Sequence, residues 1–202
     1  MVLLPSILFA QIIPGGPSDG PNGCDDRPLI CDIVTLQGYS GSTSASGADQ
    51  PCPFQINPDC AGSTCENNIW FDFTATAATM DITIDPFNCE PGGNTNMGIQ
   101  GAIYQIDDCS SLNGFTPVSN CYSLGQASND PVPFTLFATG LTPGETYTIM
   151  LDGFGGAICQ FTVTEVVGQN GVFPPELPGP LVGPMDVCPG AIIEYCMPVG
   201  IG

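Results

Sequence analysis

The chain has 202 residues, enough for one ordinary domain and part of another, and it sets 20 Asp and Glu against a single cation, Arg27, with no His, for a formal net charge of −19. That balance excludes nucleic acid and anionic membrane as partners, since both are held by clustered Lys or Arg. Hydrophobic residues at 43% argue against disorder, and 26 Gly with 21 Pro in no triplet period favour short strands joined by turns over helices.

In chain order, residues 1–10 form a short apolar run ending in Ala10, and read as a signal-peptide remnant too short to span a bilayer. Residues 11–23 are a Pro-, Gly- and Ser-rich extended leader. Regular structure is expected from Cys24, with a first segment at 29–36 and a long Gly/Ser surface loop at 38–47. Residues 69–75 and 79–85 are expected to pair as a hairpin, because only a few small residues separate them. The second alternates cleanly, with Met80, Ile82 and Ile84 on one face and Asp81, Thr83 and Asp85 on the other.

Further strands are expected at 101–106, 132–139, 145–152 and 158–166. In these, Tyr147, Ile149 and Leu151 share a face, as do Cys159, Phe161 and Val163. Pro143-Gly144 fits the centre of a type II turn. The expected fold is an all-β antiparallel sandwich of jelly-roll, CUB-like or immunoglobulin-like type over 24–167. A Pro/Gly-rich linker follows at 168–184. Residues 185–202 read as the truncated start of a second Ig-like or PKD-like β-domain, being too few to bury a core.

The 11 cysteines lack CxxC pairs and His partners, so disulfides are expected in place of zinc, and with them an extracellular or cell-surface location. Spacing suggests Cys24 with Cys31, Cys52 with Cys60, Cys109 with Cys121 and Cys188 with Cys196. Cys65, Cys89 and Cys159 remain, with Cys159 expected to take either Cys65 or Cys89. The odd count leaves one cysteine unpaired or bonded outside this sequence. Cys109 and Cys121 flank a polar stretch with little apolar surface to hold it shut, which makes a covalent clip between them attractive.

Several strings, in this order, resemble one family. They are 24–31 (CDDRPLIC), 66–73 (ENNIWFDF), 98–104 (GIQGAIY) and 141–147 (LTPGETY), running into 150–154 (MLDGF) with Cys159 behind, and then 183–190 (GPMDVCPG). The resemblance is to a β-sandwich module of large Bacteroidetes cell-surface proteins associated with gliding motility, exported by the type IX route and carrying PKD or Ig-like repeats. It implies a secreted adhesin domain, and it also implies two cysteines flanking the 110–120 loop. The module is similar as well to pre-peptidase C-terminal and CUB-like sandwiches found beside secreted enzymes. The segment from Cys52 to Cys60 departs from the pattern.

Without His or Lys there is no Ser-His-Asp relay, Cys-His pair or Schiff-base lysine. Only a carboxylate pair could catalyse, and scattered acids on strand faces and loops are ordinarily just solvated. The expectation is a non-enzyme. Calcium is a possible cofactor, through Asp152 at a strand end with Asp107 and Asp108 from a neighbouring loop. Trp70 and Tyr104 are candidate ligand-contacting aromatics, weighed against a plain core role. The expected function is a non-catalytic structural or adhesive module of an exported multidomain surface protein. Its partners would be an extracellular polysaccharide, a protein surface, or neighbouring domains or subunits of a surface array, with no membrane insertion. The alternative is an accessory or carbohydrate-binding domain of a secreted enzyme.

Overall fold

A computed structural model describes residues 24, 27–30, 32–43, 51–60, 63–92, 97–123 and 131–169. The signal remnant, the leader, nearly all of the linker, the start of a second domain, and Cys31, Cys188 and Cys196 lie outside the described residues.

Nine strands form two sheets: β1 (Leu29–Ile30), β2 (Ser40–Ser42), β3 (Ile69–Thr74), β4 (Thr79–Glu90), β5 (Ile99–Ile106), β6 (Phe115–Pro117), β7 (Phe134–Thr139), β8 (Thr146–Gly153) and β9 (Ile158–Val167). The five-stranded sheet has the order β1-β3-β8-β5-β6, and the four-stranded sheet the order β2-β9-β4-β7. All neighbours are antiparallel except β1, which runs parallel to β3. This is the expected all-β sandwich.

The alternation read from the sequence explains the core. Phe71, Phe73, Ile103, Tyr147, Ile149 and Leu151 from one sheet meet Met80, Ile82, Ile84, Leu136, Phe161 and Val163 from the other, all buried. Each such side chain contributes about 1.5–3 kcal/mol on leaving water. Between Val163 and Glu165 the register of β9 against β4 slips by one residue, so that Val166 replaces position 165 as the next inward residue.

Two connections differ from expectation, and a third forms as expected. β3 and β4 are not a hairpin: the link through residues 75–78 crosses from one sheet to the other, because both strands must aim apolar faces into the same core. Ala75 is buried at the crossing, exchanging backbone bonds with Gly144 and Glu145. Pro143-Gly144 does form the expected turn, with Gly144 at φ +93° and Glu145 N–H donating to Thr142 O at 3.1 Å. It too carries the chain between sheets, from β7 to β8. The 38–47 loop contains a short edge strand, β2, because Ser40, Gly41 and Ser42 pair with Thr162, Phe161 and Gln160 of β9. Tyr39 and Thr43, on either side of it, are buried.

Residues 118–122 seam the two sheets. Val118 N–H donates to Ile103 O, Thr139 N–H donates to Val118 O, and Tyr122 pairs with Gly101. Asn120 completes the seam: Phe137 N–H donates to its Oδ1 at 2.6 Å, and its Nδ2 donates to Thr135 O at 3.2 Å. The outer edge of β7 thus has its backbone groups paired, which blunts it as a template for strand addition.

Four disulfides join the eight described cysteines: Cys24–Cys109, Cys52–Cys65, Cys60–Cys121 and Cys89–Cys159. Cys89 is therefore the partner of Cys159, one of the two expected choices. Cys24 with Cys31, Cys52 with Cys60 and Cys109 with Cys121 are not the pairs formed. The reason at Cys109 is strand geometry. It sits in the β5–β6 turn beyond Ile106, whereas Cys121 precedes Tyr122, the partner of Gly101 near the other end of β5. Five residues of strand, roughly 17 Å, separate those levels, far beyond the reach of a disulfide. Three of the four bonds join segments 61 to 85 positions apart, Cys52–Cys65 spans 13, and together they place the domain in an oxidising environment.

Candidate functional site

The outward side chains of the five-stranded sheet are covered. Trp70, Met150 and Ala102 lie side by side on β3, β8 and β5, since Trp70 pairs with Met150 and Met150 with Ala102. Tyr104 lies two residues along from Ala102, opposite Thr148. Residues 51–60 and 63–65 supply the lid. Two 3-10 turns, Pro53–Ile56 and Pro58–Cys60, deliver a fully buried Phe54 to this face. Phe115 closes it, with its ring 6.2 Å from that of Trp70 and 6.0 Å from that of Tyr104.

Trp70 and Tyr104 are both 0% exposed, so neither is a surface platform for a ligand. Their place is a second core. Burial pushes the Tyr104 phenol far upward, against a lowering from the neighbouring Asn57 side chain. Trp70 Nε1 and the Asn68 amide are buried with no hydrogen-bond partner among the described residues. Such groups cost about 1–3 kcal/mol each. Covalent closure through Cys52–Cys65 and Cys60–Cys121 offsets that cost and holds the lid shut.

Beside this second core lies a buried polar centre. Asp152 is 0% and Gln100 1% exposed, and they face one another across β8 and β5. Asp152 Oδ1 accepts from the backbone N–H groups of Glu66 at 3.0 Å and Asn67 at 2.8 Å. Asp152 Oδ2 accepts from Gln100 Nε2 at 2.7 Å. Gln100 Nε2 also donates to Thr64 O at 2.6 Å, while Gln100 Oε1 accepts from Ser123 Oγ at 3.3 Å. The hydroxyls of Ser63 and Ser123 are 3.0 Å apart. Burial, partly opposed by these hydrogen bonds, raises the Asp152 carboxyl from 3.8 to about 6. Gly153 is needed next door, because a Cβ there would meet Ala157 O at 1.6 Å.

This arrangement separates the three acids expected to share calcium. Asp152 is opposite Gln100 at the start of β5, and Asp107 and Asp108 follow its far end, roughly 23 Å away along the strand. No single ion can bridge them. Asp152 also faces three N–H donors, the surroundings of an anion or a neutral acid and not of a metal ligand. Asp108 instead bonds the backbone N–H and hydroxyl of Ser110, which hold its carboxyl below the ordinary range.

Asp107 and Asp108 line a cavity of about 300 Å³ with Cys24, Arg27, Ile106 and Cys109. The one cation of the chain is spent here. Arg27 Nε donates to Asp72 Oδ1 at 2.8 Å, and its Nη1 lies 2.8 Å from Cys109 Sγ and 3.0 Å from Cys24 Sγ. Thr148 Oγ1 donates to the same Asp72 oxygen at 2.6 Å. Arg27 thus ties the first disulfide to β3 and neutralises the only acid on the covered stretch of that strand.

The outward face of the four-stranded sheet has no lid among the described residues. Ser40 meets Thr162 at 2.8 Å, Thr83 meets Thr135 at 2.9 Å, and Asn88 Nδ2 donates to Gln160 Oε1 at 2.9 Å. Asp81 pairs with Phe137 on one side and Val167 on the other. Phe137 is 52% and Val167 41% exposed, so a carboxylate sits between two apolar side chains in open water.

Sequence reading missed Gln100, Ser123 and Phe137. Gln100 and Ser123 are neutral polar residues whose partners are 23–60 positions away, and no local pattern announces such pairs. Phe137 had a signal, since it is out of phase with inward Leu136. No protein-family model, curated protein or solved structure matches the chain.

Proposed function

We propose that the domain is a non-catalytic structural and adhesive module of an exported multidomain cell-surface protein, of the gliding-associated Bacteroidetes kind that its sequence resembles. The observation that carries this reading is the contrast between its two outer faces: one is sealed under disulfide-bonded loops, and the other, among the described residues, is a Thr/Ser/Asp surface carrying exposed Phe137. A rigid scaffold with one presenting face suits adhesion or packing against a neighbouring domain. The absence of His and Lys from the sequence supports a non-catalytic role, and the four disulfides support a role outside the cell.

The alternative, an accessory or carbohydrate-binding domain of a secreted enzyme, draws on the same face. An exposed aromatic beside a carboxylate on a flat sheet is a workable sugar contact. The full chain, immobilised and probed with a panel of extracellular polysaccharides and purified surface proteins, distinguishes the two. Retention that is lost in Phe137→Ser supports adhesion through this face. Retention confined to one glycan class selects the carbohydrate-binding reading, and indifference to Phe137→Ser removes the face from both.

A further inference from the structure

The polar centre beneath the lid holds a hydroxyl, a side-chain amide and a carboxylic acid in one connected line. We propose that Ser123 and Gln100 join autocatalytically in an intramolecular ester bond, with Asp152 as the proton donor to the departing nitrogen. Three observations point there.

First, the orientation of the Gln100 amide is fixed. Its nitrogen faces Thr64 O, which can only accept, at 2.6 Å and an Asp152 oxygen at 2.7 Å, and its carbonyl faces the Ser123 hydroxyl at 3.3 Å. The carbonyl carbon lies one C=O bond, about 1.23 Å, beyond that oxygen. Ser123 must turn from this hydrogen bond toward the carbonyl carbon to attack, and once turned the pair has the rate advantage of an intramolecular reaction.

Second, the acid is placed at the leaving atom. Asp152 Oδ2 contacts Nε2 itself, the atom that must be protonated for an amide to expel ammonia. With its carboxyl raised to about 6 by burial, Asp152 holds a transferable proton at mildly acidic to neutral pH. The other ionisable group acting on it is Glu66, whose charge raises it further.

Third, the hydroxyl has a proton acceptor beside it and the amide has a sheltered setting. Ser63 Oγ stands 3.0 Å from Ser123 Oγ, and Gln100 is 1% exposed, which keeps water from hydrolysing the product. The step balances without any oxidant or co-reactant. Ser123 Oγ bonds to Gln100 Cδ and the Cδ–Nε2 bond breaks. Asp152 gives its proton to the nitrogen, the hydroxyl proton passes to partly exposed Ser63 and on to solvent, Asp152 takes a proton back from solvent, and ammonia leaves. The bond would fasten β5 to the segment just after Cys121, a covalent brace beside the Cys60–Cys121 disulfide.

The test is the intact mass of the full oxidised chain after reduction and alkylation. The expected result is a mass below that of the sequence by one ammonia, about 17 Da, with tandem spectra joining the peptides that contain Gln100 and Ser123. Mild alkali should separate those peptides, leaving a glutamate in place of Gln100. Ser123→Ala should restore the full mass while keeping the four disulfides, and Asp152→Asn should slow the loss at least tenfold. An unshifted mass in the disulfide-bonded wild type overturns the proposal. A shift that persists in Ser123→Ala also overturns it, because it assigns the lost ammonia to cyclisation of another Gln or Asn.

Discussion

The five-stranded sheet turns Trp70, Ala102, Tyr104 and Met150 outward and then covers them. The four-stranded sheet turns Ser40, Thr83, Thr135 and Thr162 outward and leaves them partly in water. Both faces obey the two-residue period of a strand. The difference is that the first spends its outward positions on a second core, closed by disulfide-bonded loops, whereas the second leaves them to solvent among the described residues.

Removing the largest side chain of the second core breaks the comparison most directly. Trp70→Ala is expected to cost about 3–5 kcal/mol, as truncation of a buried aromatic does. The same loss would be inexplicable if Trp70 were a surface platform. Urea unfolding monitored by circular dichroism measures it, and a cost below about 1 kcal/mol would show that the lid does not pack as described.

Next comes the covalent closure. Cys60–Cys121 spans 61 positions and Cys52–Cys65 only 13. In the loop-entropy account their removal costs about 4 and about 3 kcal/mol respectively. The paired replacement Cys60→Ser with Cys121→Ser should therefore lower the melting temperature more than Cys52→Ser with Cys65→Ser. The reverse order would mean that strain or residual denatured structure, and not loop length, sets the contribution here.

Much of the first comparison was legible in the sequence. The inward set Met80, Ile82, Ile84, Tyr147, Ile149 and Leu151 follows from strict alternation, and the strand segments from 69 to 167 follow from turn residues between apolar runs. The second core was not legible, because Trp70, Tyr104 and Met150 occupy the phase that alternation assigns to solvent; only the lid, contributed by a distant segment, changes their fate. Cys89–Cys159 was among the expected choices, but the other three disulfides were missed, because partners are set by the fold and not by spacing. Cys24–Cys109 spans 85 positions, and short spacing was the only guide available. Gln100 and Ser123 left no trace at all, since neutral hydrogen-bonding residues acquire meaning only from their partners.

The polar centre allows a finer test through pH. An acid whose folded pKa is raised folds better protonated, so the contribution of Asp152 is full below about pH 4 and is lost as pH rises through about 6. A shift of about two units corresponds to about 3 kcal/mol across that window. Measured in a Ser123→Ala background, which keeps Gln100 an amide, stability should fall more steeply between pH 4 and 7 with Asp152 present than in Asp152→Asn. Parallel curves would show that the carboxyl is solvated and that the lid is open.

The smallest expected effect belongs to the open face. Phe137 stands in water beside Asp81, and its inward neighbours Leu136 and Ala138 carry the packing of β7. Phe137→Ser removes a side chain that the folded chain leaves 52% exposed, and Ser retains the backbone N–H to Asn120 hydrogen bond of this position. Stability should therefore change by no more than about 0.5 kcal/mol, the range of ordinary surface substitutions. An exposed aromatic that contributes nothing to folding is free to serve contact with a partner. A cost above about 2 kcal/mol in urea unfolding would instead show that Phe137 is covered in the folded chain, and that this face, like the other, has a lid.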